Sequence, residues 1–307
     1  MVTRHTYAST DDLRDYLAGT SYSSGWTSDA VILRRFLEAA STRIDNYVGM
    51  QSFGARIETH YYDIGTGTLR ESPQPSVSGV LSGEIGVGDM LVAVIPFEDW
   101  LIDATTVTNY SGTDRSTSET LSEGYANDYW LEPYNSNPKV RLKFNEDSTK
   151  SFNAGQQTLA VAGTWGYTND TTVQTDLAAA ITDDAAVEIE VTSAASLGIA
   201  QTILVGTEQM YITGISSNTL TVERGVNGTT AATHLINVNV SSYDYPPLVV
   251  QACLDLAKIE FRDRDMGVTN IIGTGEQGIT RADVSATTIL RSLDEYQATT
   301  PVSEVYF

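Results

Sequence analysis

This chain of 307 residues offers three histidines, one cysteine and 39 carboxylates for acid–base or metal-binding chemistry. The stretch "LTVERGVNGTTAATH" (220–234) concentrates an arginine, two glycines, an asparagine, four threonines and His234. A phosphate cradle needs Walker-spaced glycines, then Lys-Ser/Thr and a helix, and neither follows. Asn227-Gly228 is the strongest short hairpin signal, so the stretch reads as a turn between strands. His5 and His60 lie far away in sequence, leaving His234 without a sequence-near partner. "GTGEQG" (273–278) matches the dinucleotide pattern, with Asp294 about twenty residues on, but a fingerprint needs a βαβ unit around it. No alternating β–α series surrounds it, and the match reads as a glycine link. The acid pairs Asp11/Asp12, Glu98/Asp99 and Asp183/Asp184 are expected by chance among so many carboxylates, and none has calcium-loop spacing. No Ser-His-Asp set, H-E-x-x-H or C-x-x-C is present. Cys253, within "LVVQACLDLAKIEF", reads as a buried thiol, and a single cysteine forms no intrachain disulfide. The sequons at Asn109, Asn169 and Asn227 are weak signals. The expectation is no catalytic residue, no cofactor and no metal.

Charge narrows the partners. Eighteen bases against the 39 acids give a net of -21, and only four bases are lysines: Lys139, Lys143, Lys150 and Lys258. Such a surface repels nucleic acid unless its bases cluster. Being acid-rich and lysine-poor, it has the balance of proteins that work in concentrated salt, where screening shortens carboxylate repulsion. No apolar run has the roughly 18–20 residues that span a bilayer, and "MVTRHTYAST" lacks an apolar signal core, so no membrane role is expected.

The elements that must position these groups come in blocks. Residues 9–19 and 29–48 read as helices, the second capped by Ser28, with Leu33, Phe36, Leu37, Ala40, Ile44, Tyr47 and Val48 at helical spacing and a stop at Gly49. Between about 55 and 167 come short strands, among them "RIETHYYDI", "MLVAVIPF", "WLIDATTVTNY", "YWLEP", "VRLKF" and "QTLAVAGTWGY". A second β block follows: "VEIEV", "TILVGTEQMYITGI", "NTLTVERGV" and "LINVNVSSY", short and even enough for a compact barrel. Helix returns at 246–265, then a glycine-rich link, a short helix "ATTILRSLDEYQ" and an extended tail ending Val305, Tyr306 and Phe307. The fold expected is α+β: a helical body from N- and C-terminal helices, an antiparallel β region and an inserted small β-barrel. The domains would be 1–54, 55–170, 171–243 and 244–307. "RDRD" (262–265) reads equally as a solubilising helix end or as a docking edge.

Helix 29–48, ending "ASTRIDNYVG", together with "DYWLEPYNSNPKVRLKF" (128–144), "LAVAGTWGY" (159–167) and "YPPLVVQACLDLAKIEFRDRD" (245–265), resembles the head–tail connector (adaptor) proteins of tailed viruses. The ordered set runs from residue 29 to residue 265. Segment 168–244 departs from the shorter members and resembles a small β module that recurs in virion proteins. The resemblance implies a neck protein that forms a ring, usually a dodecamer, between the portal protein and the next neck or tail-completion protein. The ring extends the DNA channel, and DNA passes without specific binding. It also implies a C-terminal segment, here the link from Gly267 and the tail, that reaches into the portal. The candidate portal-binding residues are Arg262, Arg264, Val305, Tyr306 and Phe307. The location expected is the virion's head–tail junction, assembled in the cytoplasm of a halophilic host. The alternative is a virion-surface module that binds a glycan or host protein through the 171–243 barrel, supported if Tyr211 faces solvent. A hydrolase with a carboxylate pair in the β region is a third reading.

Overall fold

A computed structural model describes residues 4–18, 29–49, 52–64, 70–71, 92–111, 115–145, 148–150, 153, 155–266 and 285–297. It corrects the expected fold class. The chain is mostly β, with 24% helix against 41% strand, because both β blocks form full antiparallel sheets and the helices are few. The described chain divides into two compact units, one from residues 55–168 and one from the flanking segments 4–54 and 169–297.

The unit at 55–168 is one antiparallel sheet. Strands β1 (Arg56–Ile64), β2 (Arg70–Glu71), β3 (Val92–Ser111), β4 (Thr117–Leu121), β5 (Tyr129–Glu132), β6 (Lys139–Phe144) and β7 (Gly155–Trp165) lie in the order β1-β7-β3-β6-β5, with β2 and β4 also pairing with β3. The segments "MLVAVIPF" and "WLIDATTVTNY", expected as two strands, run through as the 20-residue β3. Its register against β6 shifts between Pro96 and Leu101, and against β7 between Leu101 and Asp103. A proline is tolerated inside a central strand where the ladder is already broken. The irregularity also turns Asp99 inward onto Arg56, as bulges re-aim side chains. Leu101, Val107, Leu142, Leu159, Val161 and Trp165 fill the apolar face.

In the other unit, helix α1 (Thr10–Ala18) starts with Ser9 and Asp12 bonding each other's backbone N–H. Helix α2 (Ala30–Val48) is capped by Asp29, not Ser28: its carboxylate accepts from the N–H groups of Val31 and Ile32. Gly49, in the left-handed region at φ 78°, closes the helix on the Asp45 carbonyl. Leu33, Leu37, Ala40, Ile44 and Val48 form its buried stripe. Helix α3 (Pro247–Met266) offers Val249, Cys253, Leu256, Ala257 and Phe261 at matching intervals, and α1, α2 and α4 (Ala286–Arg291) pack on it.

Strands β8 (Thr171–Asp176), β9 (Glu188–Glu190), β10 (Thr202–Val205), β11 (Glu208–Ser216), β12 (Thr219–Glu223) and β13 (Asn239–Tyr243) make a six-stranded sheet ordered β8-β13-β10-β11-β12-β9. It is not the expected closed barrel. The two edges meet only at one bridge, Leu177 to Val191, because β9 is three residues long and β8 ends where that bridge begins. The tight hairpins use Gly206-Thr207 and Ser217-Asn218, so Asn227-Gly228 is a turn within a loop and joins no paired strands. Within this unit the sheet belongs with the helices. Thr10 N–H donates to the Ile199 carbonyl at 3.0 Å, and Tyr211 donates to Glu38 at 3.0 Å. Gly198 lies so close to Ser9 that a Cβ there would fall 2.5 Å from the serine Cβ.

Leu33 is fully buried in the α2 stripe. Leu33→Ala is expected to cost about 2–5 kcal/mol, read as a lower urea midpoint by far-UV circular dichroism.

Candidate functional site

The best-built polar site is the loop that the sequence marked as a turn. Glu208, the first residue of β11, has a fully buried carboxylate. One oxygen accepts from Arg224 Nε at 2.6 Å and the Gly225 N–H at 3.1 Å. The other accepts from Arg224 Nη2 at 2.8 Å and the Ala232 N–H at 3.0 Å, and pairs with His234 Nε2 at 2.8 Å. The remaining guanidinium hydrogens go to the carbonyls of Asp183, Ala186 and Ala232. Burial opposes ionisation of Glu208, but the bonds from Arg224, His234 and Ala232 outweigh it and hold its carboxyl below the ordinary range. A carboxylate with its lone pairs spent on these groups has none left for a metal or a substrate proton. His234 therefore does have a partner, which sequence distance hid.

The same loop fixes Asn227, whose φ of 56° and that of Gly228, 82°, form the turn. The Asn227 side chain accepts from the Arg4 N–H at 2.7 Å and donates to the Arg4 carbonyl and to Gln209. Asn227 and Asn109 are buried, whereas Asn169 is exposed.

In the other unit, Arg56 and Asp99 form a buried ion pair, and Arg56 Nε lies 3.4 Å from Glu58. Glu58 meets His60 at 3.0 Å, and the His60 ring stacks on Trp165 with centroids 3.8 Å apart. The bond from His60 is the first cause holding the Glu58 carboxyl below its ordinary value, ahead of the opposing burial. A hydrolase pair needs one carboxyl kept protonated, and Glu58 is shifted the other way. Of the other acid pairs, Asp11 bonds Arg14, Asp12 caps α1, and Asp183 and Asp184 are exposed. Among the described residues no group of three or more His, Cys, Asp or Glu could hold a metal. Burial pushes the Cys253 thiol up to about 11, which keeps it protonated near neutrality.

Of the residues singled out for docking, Arg262 is half-buried on α3 and Arg264 lies in the last turn of that helix. Val305, Tyr306, Phe307, the glycine pattern 273–278 and the link from Gly267 lie outside the described residues. Tyr211 is only 1% exposed, so the alternative of a surface module loses the aromatic named for it. Among the described residues no helix is long and apolar enough to cross a membrane.

Sequence reading missed an exposed aromatic group on the β5–β6 hairpin. Trp130 lies on the face away from the core, flanked by Tyr125, 84% exposed, and Tyr134, 56% exposed. The Tyr125 and Trp130 rings are 15° from parallel at 6.4 Å, and Tyr134 meets Trp130 edge-on at 5.8 Å. Both tyrosine loops are clamped from below. Buried Asn145 donates to the carbonyls of Tyr125 and Asn127 at 2.6 and 2.9 Å. Lys139 Nζ donates to the carbonyls of Pro133, Tyr134 and Ser136. The available signal was four aromatics inside the turn-rich stretch "EGYANDYWLEPYNSNP", of which strand alternation sends only Tyr129 into the core.

Comparison with known protein families, curated proteins and solved structures finds no match for this chain.

Glu208→Gln leaves the Arg224 charge buried without its counter-charge and is expected to cost about 3–5 kcal/mol. The measurement is urea unfolding, with faster hydrogen exchange at the Gly225 and Ala232 amides. Because the folded pKa of Glu208 is depressed, its contribution is present above the unfolded value, about 4.3, and is lost as pH falls through the folded one. Acid unfolding of the Gln variant is therefore expected to be less steep.

Proposed function

We propose that this chain is a structural subunit of a tailed-virus neck: an adaptor that joins copies of itself, the portal protein and the next neck or tail-completion protein into a ring around the DNA channel. One observation carries the reading. The charged groups buried in the described chain, Arg56, Asp99, Asp128 and Glu208, are all spent on holding backbone or one another, while the exposed rings of Tyr125 and Tyr134 sit on loops whose carbonyls are held by Asn145 and Lys139. Rigid exposed Tyr and Trp supply contact area at low entropy cost, which is what recognition needs and catalysis does not.

The charge balance supports the same reading. With a net of -21, a channel wall offers DNA no phosphate grip and lets it slide. The ordered set of segments resembling adaptors supplies the partner class, and the apolar tail residues Val305, Tyr306 and Phe307 suit insertion into the portal. The surplus of acids fits work in concentrated salt.

Deleting residues 299–307 is expected to abolish capture by the cognate portal in a pull-down, with an unchanged circular-dichroism spectrum. Equal capture by the shortened chain counts against the reading. The melting temperature is expected to rise steadily from low to molar salt, measured by scanning calorimetry, and a flat series counts against a halophilic setting.

A further inference from the structure

Ten large apolar side chains are exposed among the described residues, and five of them fall in two groups of opposite electrostatic character. The first group is the Tyr125–Trp130–Tyr134 platform. In the β5–β6 register Trp130 faces Lys143 and Glu132 faces Arg141, while Tyr129 and Leu131 turn into the core. The alternation of β6 therefore sets Lys139, Arg141 and Lys143 along the platform's own face. Arg141 is paired with Glu132 at 2.5 Å, whereas Lys143 makes no ion pair among the described residues. In a chain with only 18 bases, this is a basic rim around aromatic rings.

The second group lies on the six-stranded sheet's unit. Leu235, 76% exposed, and Ile236 directly follow His234. The backbones of Ile181 and His234 bond each other at 2.8 and 2.9 Å, which brings the exposed loop 182–188 alongside. That loop adds exposed Val187 with the acids Asp183, Asp184 and Glu188. Arg224 holds the loop through the carbonyls of Asp183 and Ala186, and Glu208 holds the far side through the Ala232 N–H and His234. The result is an apolar knob with an acidic rim, fixed from beneath.

We infer that these two surfaces are the halves of one head-to-tail contact between copies of this chain: the acid-rimmed knob of Val187, Leu235 and Ile236 seats on the aromatic, base-rimmed platform of the neighbouring copy. The two halves complement each other in both polarity and charge, and both are rigidified before contact, which lowers the entropy lost on docking. Two different patches on one molecule make a heterologous contact, which gives rings where the rotation between copies closes and open chains where it does not. The inference rests on the adaptor reading for the ring, but the contact can fail or hold separately.

The test uses sedimentation velocity of the full chain at low and at molar salt. Two variants each damage one half: Tyr125→Ser with Lys143→Glu on the platform, and Leu235→Ser with Ile236→Ser on the knob. Circular dichroism checks that each is folded. Wild-type chain is expected to associate with rising concentration, and each variant about tenfold or more weakly. Mixed together, the two variants are expected to form a 1:1 dimer that grows no further, because one intact platform meets one intact knob. Wild-type chain that stays monomeric, a folded variant that associates like wild type, or a mixture that forms no dimer overturns the inference. So does a platform that binds a free glycan or single-stranded DNA while the chain stays monomeric. Portal capture in the same preparations separates the two ideas: retained capture without self-association removes this contact alone, and lost capture with self-association intact removes the neck reading alone.

Discussion

One buried carboxylate governs much of the unit formed by the flanking segments. Glu208 gathers Arg224, His234 and two backbone N–H groups, and so fixes a loop too long to hold itself. That loop places Asn227, and Asn227 binds both backbone groups of Arg4. Arg4 leads into α1, whose first turn bonds the Ile199 carbonyl. A single desolvated charge, satisfied from five directions, thus ties the sheet to the N-terminal segment. The arrangement is costly unless complete, since a buried ion with a missing partner loses more than the intact pair contributes.

The unit at 55–168 solves its own problem with the same means. The irregular ladder near Pro96 lets Asp99 reach Arg56, and Asn145, Asp128 and Lys139 tie down surface loops from below. In both units, buried polar groups serve to stiffen exposed segments. On the proposed adaptor reading such stiffening aids docking, because each side chain left mobile at an interface costs about 0.5–1.5 kcal/mol.

Local physics was legible in the sequence where spacing is local. The α2 stripe from Leu33 to Val48, its stop at Gly49 and the buried Cys253 follow from helical period and punctuation. Strands β9 to β13 of the six-stranded sheet were legible too, but edge strand β8 was missed and so was the sheet's failure to close, since closure depends on how far β8 and β9 run. Asn227-Gly228 carried a true turn and a false hairpin, because the strands on either side pair elsewhere. The Glu208 cluster was invisible for another reason: its members are 16 and 26 residues apart, and nothing local to Glu208 distinguishes it from the other acids. The exposed rings escaped because an aromatic residue in a strand-rich segment reads as core, although strand parity put Trp130 opposite Tyr129 and Leu131.

The chain leaves the first compact unit after Gly54 and returns to it at Asn169. During synthesis α1 and α2 therefore emerge long before α3, against which their apolar stripes pack. The sheet at 55–168 needs nothing translated later for its own ladders, so it can complete while those stripes still wait. A nascent chain of this design carries α1 and α2 without their α3 partner throughout the synthesis of residues 55–246. Its yield in a cell should be set by whatever shields them in that interval, and less by the stability of the finished molecule.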